Sequence, residues 1–307
     1  MEHIPVMLSE VCSLMRLGSG KRCIDMTVGL AGHASRILSS IAPDGFLLGL
    51  DRDSETLPLA YERLKALGGN FRLEHSDYAS IAEVCAKLGL KDFDAILCDC
   101  GISSAQLDDP ERGFSFEKDA PLDMRMDRNG DLRASDLLNT FEENELADIF
   151  FRYGDERFSR PIARAVCQRR EKISFSLAGE LADLVSGIYY RKGFRRSRIH
   201  PATRVFQALR IAVNHEFDSL TRGITGAAGL LAPGGRLVVI SFHSGEDRIV
   251  KHLFRDFKEK GLGEIVTKKP LVPGEDEIAN NPRSRSALVR VFEKGQEGEG
   301  KSESSLQ

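Results

Sequence analysis

Three aspartates follow apolar segments in the first third of the chain, and their positions suit the binding of a nucleotide-like ligand. Asp25 opens the turn Asp25-Met-Thr-Val-Gly-Leu-Ala-Gly-His33, while Asp51 and Asp99 each close an apolar run. Glycines in such a turn let the backbone approach a bound group closely, and the start of the following helix offers unpaired N–H donors. A ligand lying over this turn would present its ribose hydroxyls to Asp51.

This layout serves two classes of ligand, dinucleotides and S-adenosylmethionine. The turn departs from the dinucleotide fingerprint G-x-G-x-x-G, because Ala31 stands where a third glycine would be expected. Asp99 lies at the edge where open α/β sheets bind ligands, so it is placed to hold the amino groups of a cofactor or to touch an acceptor. Both features favour S-adenosylmethionine, and a nicotinamide-dependent dehydrogenase stays open as the alternative. Asp99 and Ser103 are therefore candidate catalytic residues.

The elements that must position these residues alternate between strand and helix. The predicted strands end at residues 25, 51, 77, 100 and 243, and two short strands cover 264–267 and 287–292. The predicted helices cover residues 3–15, 35–41, 54–67, 81–88, 203–220 and 248–260. Strands that alternate with helices at this spacing predict a doubly wound, Rossmann-like α/β sheet.

The alternation stops in the middle of the chain, where helical patterns alone remain. We therefore predict a sheet domain in two parts, residues 1–105 and 201–293, an inserted and mostly helical domain over 106–200, and a disordered polar tail over 294–307. Charge within the middle segment is segregated. Residues 103–151 hold thirteen acidic and five basic residues, a net of −8, whereas residues 152–204 hold thirteen basic and five acidic residues, a net of +8.

The basic half of this insertion is a candidate RNA-binding region, because clustered Lys and Arg neutralise phosphates and interleaved aromatic side chains stack on unpaired bases. The candidate cations are Arg191, Lys192, Arg195, Arg196 and Arg198, and the aromatic residues among them are Tyr189, Tyr190 and Phe194. A second basic loop contains Arg283 and Arg285. The alternative interpretation is a solvated surface that balances the acidic half.

The remaining sequence features exclude several classes of protein. The net charge of −3 indicates no overall electrostatic attraction to nucleic acid. The six cysteines are scattered without C-x-x-C pairs, which favours a reducing cytoplasm. No apolar run is long enough to span a bilayer, so we expect no membrane partner. No Cys/His cluster has metal-ligand spacing, so no metal is expected. His243, at a strand end, is a third candidate catalytic residue, although a lone histidine there is more often structural.

Several long strings of residues make the chain recognisable. They are His3-Ile-Pro-Val-Met-Leu8, Asp99-Cys-Gly-Ile-Ser-Ser-Ala-Gln-Leu-Asp108, Arg112-Gly-Phe-Ser-Phe116, Leu122-Asp-Met-Arg-Met-Asp127, His200-Pro-Ala-Thr-Arg-Val-Phe-Gln-Ala-Leu-Arg210, Ser241-Phe-His-Ser244 and Asn281-Pro-Arg-Ser-Arg-Ser286. With these strings the chain resembles the bacterial 16S ribosomal RNA cytosine-N4 methyltransferases, the RsmH or MraW family. The resemblance extends from about His3 to Phe292.

The resemblance implies a class I S-adenosylmethionine-dependent methyltransferase domain interrupted by an RNA-recognition domain. The implied reaction is methylation of the N4 amine of a cytidine in the decoding centre of 16S ribosomal RNA, which tunes the ribosomal P site. The cofactor contacts carried over from the family are Ala31, Gly32, His33, Asp51, Tyr78, Asp99 and Gln106. Asp123, Arg125 and His243 are candidates for contacts with the target cytosine, and Arg125 also counts among the RNA-binding candidates.

The chain departs from the family pattern at a few positions. The first turn is commonly richer in glycine, so Ala31 and Ala34 are expected to tighten the cofactor pocket. Tyr78 replaces another aromatic residue and is still expected to stack on adenine, and Gly245 replaces a leucine.

Two rival functions were weighed beside the dehydrogenase. A DNA amino-methyltransferase lacks support, because its Pro-Pro-Tyr string is absent after the fourth strand, and a non-catalytic ribosome-assembly or RNA-binding factor on the same fold is the main alternative. The oligomeric state is open, with a homodimer among the options.

Overall fold

The computed structural model describes residues 4–116, 119–194 and 199–296. In chain order the elements are α1 (Leu8–Leu14), β1 (Arg22–Asp25), α2 (Gly32–Ile41), β2 (Phe46–Asp51), α3 (Leu57–Leu67), β3 (Asn70–His75), α4 (Ile81–Leu88), β4 (Phe93–Asp99), α5 (Ser104–Asp108), α6 (Ala134–Thr140), α7 (Glu143–Gly154), α8 (Ser159–Arg170), α9 (Ala178–Arg191), α10 (Thr203–Asn214), α11 (Glu216–Leu230), β5 (Leu231–Ser241), α12 (Ser244–Glu259), β6 (Gly263–Ile265), α13 (Glu275–Asn280) and β7 (Leu288–Lys294). Short 3₁₀ helices cover Tyr78–Ser80, Pro110–Arg112 and Pro282–Ser286.

The chain divides into two compact units, Met1–Gly101 with Phe217–Gln307, and Ile102–Glu216. The first unit contains a seven-stranded sheet in the order β3-β2-β1-β4-β5-β7-β6. Strands β1 to β5 are parallel, whereas β7 runs antiparallel to both β5 and β6. The doubly wound α/β sheet expected from the alternating pattern is confirmed.

Both faces of this sheet are covered, which explains why its central strands are apolar at successive residues. On β1, Cys23 packs into a cluster with Ile37 of α2, whereas the next residue, Ile24, packs into a separate cluster with Ile224 of α11. Because successive side chains of a strand point to opposite faces, each strand contributes to both clusters. Helices α1 to α3 therefore cover one face of the sheet, and α4, α11 and α12 cover the other.

The second unit is helical, as predicted, and has an apolar core of its own drawn from α6 to α10. One expectation about its end was wrong. The single helix predicted over 203–220 ends at Asn214, because His215 adopts a left-handed backbone conformation with φ of 50°. The first half, α10, buries Val205 and Leu209 in the core of the second unit, so this unit extends to Glu216, beyond residue 200 where we expected the insertion to end.

Among the described residues no helix combines the length and the apolar character that crossing a bilayer requires. The tail predicted over residues 294–307 falls largely outside the described residues. Only Lys294, the last residue of β7, and the two residues after it are described.

Candidate functional site

The carboxyl ends of β1, β2 and β4 bring the three aspartates to one edge of the sheet. Asp25 is in register with Gly49 of β2 on one side and with Leu97 of β4 on the other. The strand order reverses at this point, since β2 and β3 lie to one side of β1 while β4 and β5 lie to the other. Open α/β sheets bind ligands at such a switch point. The edge at which the sequence predicts the site is therefore the switch point of the sheet.

The first turn wraps closely around the end of β1. The amide of Val28 donates to the carbonyl oxygen of Leu50 at 3.0 Å, and the amide of Ala31 donates to the carbonyl oxygen of Val28 at 2.7 Å. Ala31 lies immediately before α2 with φ of 60°, in the left-handed region, where an alanine costs about 1 kcal/mol more than a glycine. A glycine at Ala31 would remove this strain. The turn therefore keeps its shape at an energetic cost.

Asp51 ties the turn to the next strand. Its Oδ2 accepts a hydrogen bond from the amide of Gly29 at 2.6 Å, and its Oδ1 accepts one from the amide of Asp53 at 2.8 Å. Burial raises the pKa of Asp51, and the two backbone N–H groups oppose that rise. Each carboxylate oxygen has a second lone pair, so Asp51 retains the capacity to accept from a ligand hydroxyl while it holds the turn.

Asp99 and His33 meet at the same edge. Nδ1 of His33 lies 3.6 Å from Oδ2 of Asp99, and Nε2 of His33 lies 3.0 Å from the carbonyl oxygen of Val6. Since a carbonyl only accepts, Nε2 carries the hydrogen of that second contact. The amide of Asp99 donates to Oγ1 of Thr27 at 2.8 Å. The backbone of Asp99 is thus held by the turn that follows β1, its carboxyl group faces His33 of α2, and 23% of its side chain remains exposed.

Buried carboxylates cluster around Asp99. Burial first, and then the charges of Asp25 and Glu246, raise the pKa of Asp99 well above its ordinary value. Burial likewise raises the pKa of Asp25 to about 7, with the amide of Thr27 opposing the rise. Oδ1 of Asp99 and Oδ2 of Asp25 are buried and accept no hydrogen bond from the described residues. An edge with such acceptors suits a cationic ligand that carries amino hydrogens.

Sequence reasoning missed Glu246 and Thr27 as residues of this edge. Glu246 is 2% exposed and accepts a hydrogen bond from the amide of Phe242 at 2.7 Å. Its position three residues after His243 was the available signal, because an acid at that spacing marks a helix start. Thr27 carried no such signal, since its contact with Asp99 joins residues 72 apart in the sequence.

Three candidate residues lie at helix starts, where their polar atoms serve the backbone. Ser103 caps α5 by accepting from the amide of Gln106 at 3.2 Å, and Oε1 of Gln106 accepts in return from the amide of Ser103 at 3.0 Å. His243 caps α12, with Nδ1 accepting from the amide of Glu246 at 3.3 Å. These contacts give each side chain a structural role in addition to the chemical one predicted from the sequence.

Tyr78 packs closely against α11. A methyl group placed on Gly223 would lie 2.6 Å from Cδ2 of Tyr78 and 3.1 Å from its carbonyl oxygen. The ring is partly buried beside the apolar cluster that includes Met26 and Ile224. Because Gly223 has no side chain, the Tyr78 ring has room to lie in its observed position against α11.

The RNA-binding candidates differ in how available their charges are. The guanidinium group of Arg125 is already engaged in hydrogen bonds within the protein. It donates to both oxygens of Asp123 at 2.8 and 2.7 Å and to the carbonyl oxygens of Arg128 and Gly130 at 2.9 and 2.7 Å. Arg191, Lys192, Arg283 and Arg285 are exposed. Arg195, Arg196 and Arg198 lie outside the described residues.

The charge segregation of the second unit is partly neutralised by ion pairs between its halves. Arg164 lies 3.4 Å from Glu143, and Arg152 lies 3.1 Å from Asp148. Within the part of the chain that the structure describes, no group of three or more His, Cys, Asp or Glu side chains is arranged to hold a metal ion. At the sheet edge the polar groups described above are carboxyl groups, a histidine and backbone donors.

Comparison with known proteins gives matches along nearly the whole chain. Residues 1–295 match the sequence model of the MraW methylase family. Over 307 aligned residues the chain is 46% identical to ribosomal RNA small subunit methyltransferase H of Citrifermentans bemidjiense and 47% identical to that of Geobacter sulfurreducens, covering 95% of this chain and 98% of each relative. Among solved structures, an rRNA methylase from Streptococcus thermophilus has a TM-score of 0.46 at 10% identity, covering 96% of this chain and 100% of its own.

Proposed function

The chain belongs to the MraW methylase family, and from this membership we propose that it methylates the N4 amine of a specific cytidine in the decoding centre of 16S ribosomal RNA, tuning the ribosomal P site. It is a small-subunit ribosomal RNA methyltransferase with the class I fold, and its cofactor is S-adenosylmethionine. The observation that carries the N4 proposal is Asp99, whose Oδ1 lies buried at the switch point of the sheet and accepts no hydrogen bond from the described residues.

The residues at the sheet edge fit the cofactor. Asp51 would accept from its ribose hydroxyls, the ring of Tyr78 would stack on its adenine, and Asp99 would accept from its amino group. Backbone donors of Gly32 and His33 at the start of α2 complete this set, and the family resemblance adds Ala31 and Gln106. When bound, S-adenosylmethionine supplies an electrophilic methyl group on a sulfonium sulfur. The acidic groups Asp25, Asp99 and Glu246 favour a positively charged ligand at this edge.

A cytosine amine is a poor nucleophile, because its lone pair is delocalised into the ring. A group that accepts an N4 hydrogen helps the nitrogen become pyramidal and stabilises the positive charge that develops on it. We assign this acceptor role to Asp99, whose Oδ2 lies 3.6 Å from Nδ1 of His33. The raised pKa of Asp99 means that its accepting, ionised form becomes more populated as the pH rises. Ser103 and His243 remain secondary candidates beside their capping roles.

The target base must leave its stack to reach the edge of the sheet. We propose that the inserted helical domain recognises the surrounding RNA through its basic half, with Arg191 and Lys192 among the phosphate contacts and Arg283 and Arg285 as a further basic loop. The substrate would be 16S ribosomal RNA within the small subunit, so the enzyme would act in the cytoplasm, alone or as a homodimer.

Gly223 offers a test of the role of Tyr78. Gly223→Ala is expected to weaken S-adenosylmethionine binding about tenfold, because the added methyl group displaces a ring whose stacking on a base is worth about 1–3 kcal/mol. Isothermal titration with the cofactor measures this effect.

The matched control is Gly229→Ala in the same helix, where an added methyl group meets nothing within 4 Å. This variant should bind the cofactor like the wild type and gain helix stability of about 1 kcal/mol. Equal cofactor affinities for the two variants would remove Tyr78 from the proposed site.

Incubation of the protein with radiolabelled S-adenosylmethionine and small subunits that lack this modification tests the function itself. The expected result is label recovered as N4-methylcytidine after nuclease digestion. Label on another position or atom would overturn the N4 proposal. Tight subunit binding without any transfer would instead identify a non-catalytic assembly factor.

A further inference from the structure

The C-terminal end of α9 fixes an exposed aromatic side chain in place. Gly193, with φ of 86°, supplies the left-handed residue that ends the helix. The amide of Gly193 donates to the carbonyl oxygen of Tyr190, and the amide of Phe194 donates to that of Tyr189, both at 3.0 Å. This pair of bonds is a Schellman motif. It holds the backbone of Phe194, whose side chain is 42% exposed.

Phe194 is one of three rings gathered around a single arginine. The guanidinium carbon of Arg157 lies 4.0 Å from the ring centroid of Phe194, 4.8 Å from that of Phe158 and 5.8 Å from that of Tyr189. The ring centroids of Phe158 and Phe194 are 5.7 Å apart. A cation at these distances is attracted to the ring faces. Arg157 therefore lies against an aromatic cluster while it remains exposed.

A buried carboxylate locks this cluster from below. Glu156 is fully buried, and its two oxygens accept from the hydroxyl of Tyr189 at 2.9 and 2.8 Å. Its Oε1 also accepts from the amide of Phe158 at 2.7 Å. Burial and the hydrogen bond to Glu156 raise the pKa of Tyr189 to about 12, so its hydroxyl remains a donor at neutral pH. These hydrogen bonds join the α7–α8 turn to α9. Arg157 and Phe194 therefore need little conformational change to bind a ligand.

Arg157 differs from the neighbouring arginines of the basic half in the groups that its guanidinium contacts. Arg164 and Arg169 lie 3.4 and 2.9 Å from Glu143 and Glu180, respectively. Arg157, by contrast, forms no hydrogen bond or salt bridge to any residue within the described ranges, and aromatic rings are its contacts there. The guanidinium therefore offers both its plane and its charge to a ligand.

We propose that Arg157 and Phe194 form a stacking platform for one unpaired nucleotide of RNA. The inference rests on the proposed function and deepens it by naming a contact on the inserted domain. A base in a duplex has both faces covered by its neighbours, whereas an unpaired base stacks readily on an arginine plane or an aromatic ring. The positive charge at the platform attracts the adjoining phosphate.

The test measures binding of a short single-stranded RNA that carries 2-aminopurine, whose fluorescence falls when the base stacks. Phe194→Leu keeps an apolar side chain but removes the flat ring, and is expected to weaken binding about tenfold and abolish the fluorescence change. Arg157→Lys keeps the charge but loses the plane. It should weaken binding several-fold without changing the salt dependence, whereas Arg157→Ala should also lower the slope of log K against log salt by about 1.

Matched controls come from the same unit. Phe151→Leu changes an aromatic residue that is 60% exposed, and Arg164→Ala removes an arginine paired with Glu143. Both should bind the RNA within about twofold of the wild type. The platform is refuted if Phe194→Leu and Arg157→Lys match these controls in affinity and fluorescence.

Methylation assays separate this inference from the proposed function. If the platform acts only in RNA binding, Phe194→Leu should raise KM for the small subunit about tenfold with kcat and cofactor affinity unchanged. A wild-type protein that binds the labelled RNA through Phe194 but transfers no methyl group would refute the proposed function and support the platform. A methylating wild type whose KM is unaffected by Phe194→Leu would do the reverse.

Discussion

Asp99→Asn is expected to lower kcat for methyl transfer by about 100- to 1000-fold, the range typical for loss of a positioned acceptor. Asparagine has nearly the shape of the carboxyl group and can keep the amide contact with Thr27. It cannot ionise, however, and it presents an N–H₂ group where Asp99 accepts. Single-turnover assays with small subunits and saturating S-adenosylmethionine measure this change without interference from product release.

The pH dependence of the same reaction gives a second readout. Burial, Asp25 and Glu246 raise the pKa of Asp99, so its carboxylate form, and with it the rate, should increase as the pH rises towards that raised value. The Asp99→Asn variant should lack this rising limb, because residue 99 no longer titrates. A variant that keeps the limb would place the titrating group elsewhere.

Asp94→Asn provides the matched control, since it makes the same substitution on the same strand. Asp94 lies towards the opposite end of β4, where it pairs with Lys21 at 2.7 Å and accepts from the amide of Arg22 at 2.8 Å. We expect this variant to retain the wild-type rate and cofactor affinity. If Asp99→Asn also methylates and binds cofactor normally, both roles assigned to Asp99 are wrong.

Asp25→Asn is expected to change how the stability of the cofactor-free protein depends on pH. The pKa of Asp25 is about 7 in the folded protein and 3.8 as its ordinary value, so the folded state binds the proton more tightly. Stability should therefore fall as the pH rises from about 4 to 7, and level off above it. Between pH 5 and pH 8 the contribution of Asp25 amounts to a loss on the order of 2 kcal/mol.

Urea unfolding followed by circular dichroism between pH 5 and pH 8 measures this loss. The chain contains no tryptophan, so a change in helical signal is the suitable probe. The free energy of unfolding of Asp25→Asn should vary less with pH than that of the wild type. The substitution should also make the pKa of Asp99 less strongly raised, because it removes the charge of Asp25. The exposed Asp44→Asn serves as the control and should follow the wild-type profile. Identical profiles for Asp25→Asn and wild type would show that Asp25 does not titrate in this range.

Local patterns were sufficient to predict most of the sheet. The strands that end at Asp25, Asp51 and Asp99 are short apolar runs closed by an acid, and both their type and their order along the chain follow from the residues themselves. The inserted helical segment was also visible, because its residues lack such runs. The break at His215 was not predictable, since α10 and α11 are both amphipathic and only their packing distinguishes one long helix from two.

The candidate site residues likewise divide into those whose position follows from the sequence and those whose role depends on the tertiary structure. Residue type and position in the chain were enough to predict that Asp51 and Asp99 lie at one edge of the sheet, because parallel strands bring their carboxyl ends together. They were not enough to separate chemistry from capping at Ser103, Gln106 and His243, since the same polar atoms serve a ligand or a helix start.

What the sequence alone determined about this protein is its fold class, its family resemblance and the sheet edge at which the candidate site residues lie, because all three depend on local periodicity and on strings of specific residues. Only the tertiary structure decided which charges are available. Glu156 and Glu246 read as ordinary acids in the sequence, yet both are buried, one beneath an arginine–aromatic cluster and the other beside Asp99. Burial and partners depend on residues far apart in the chain, and these set the pKa values and the exposed charges on which function depends.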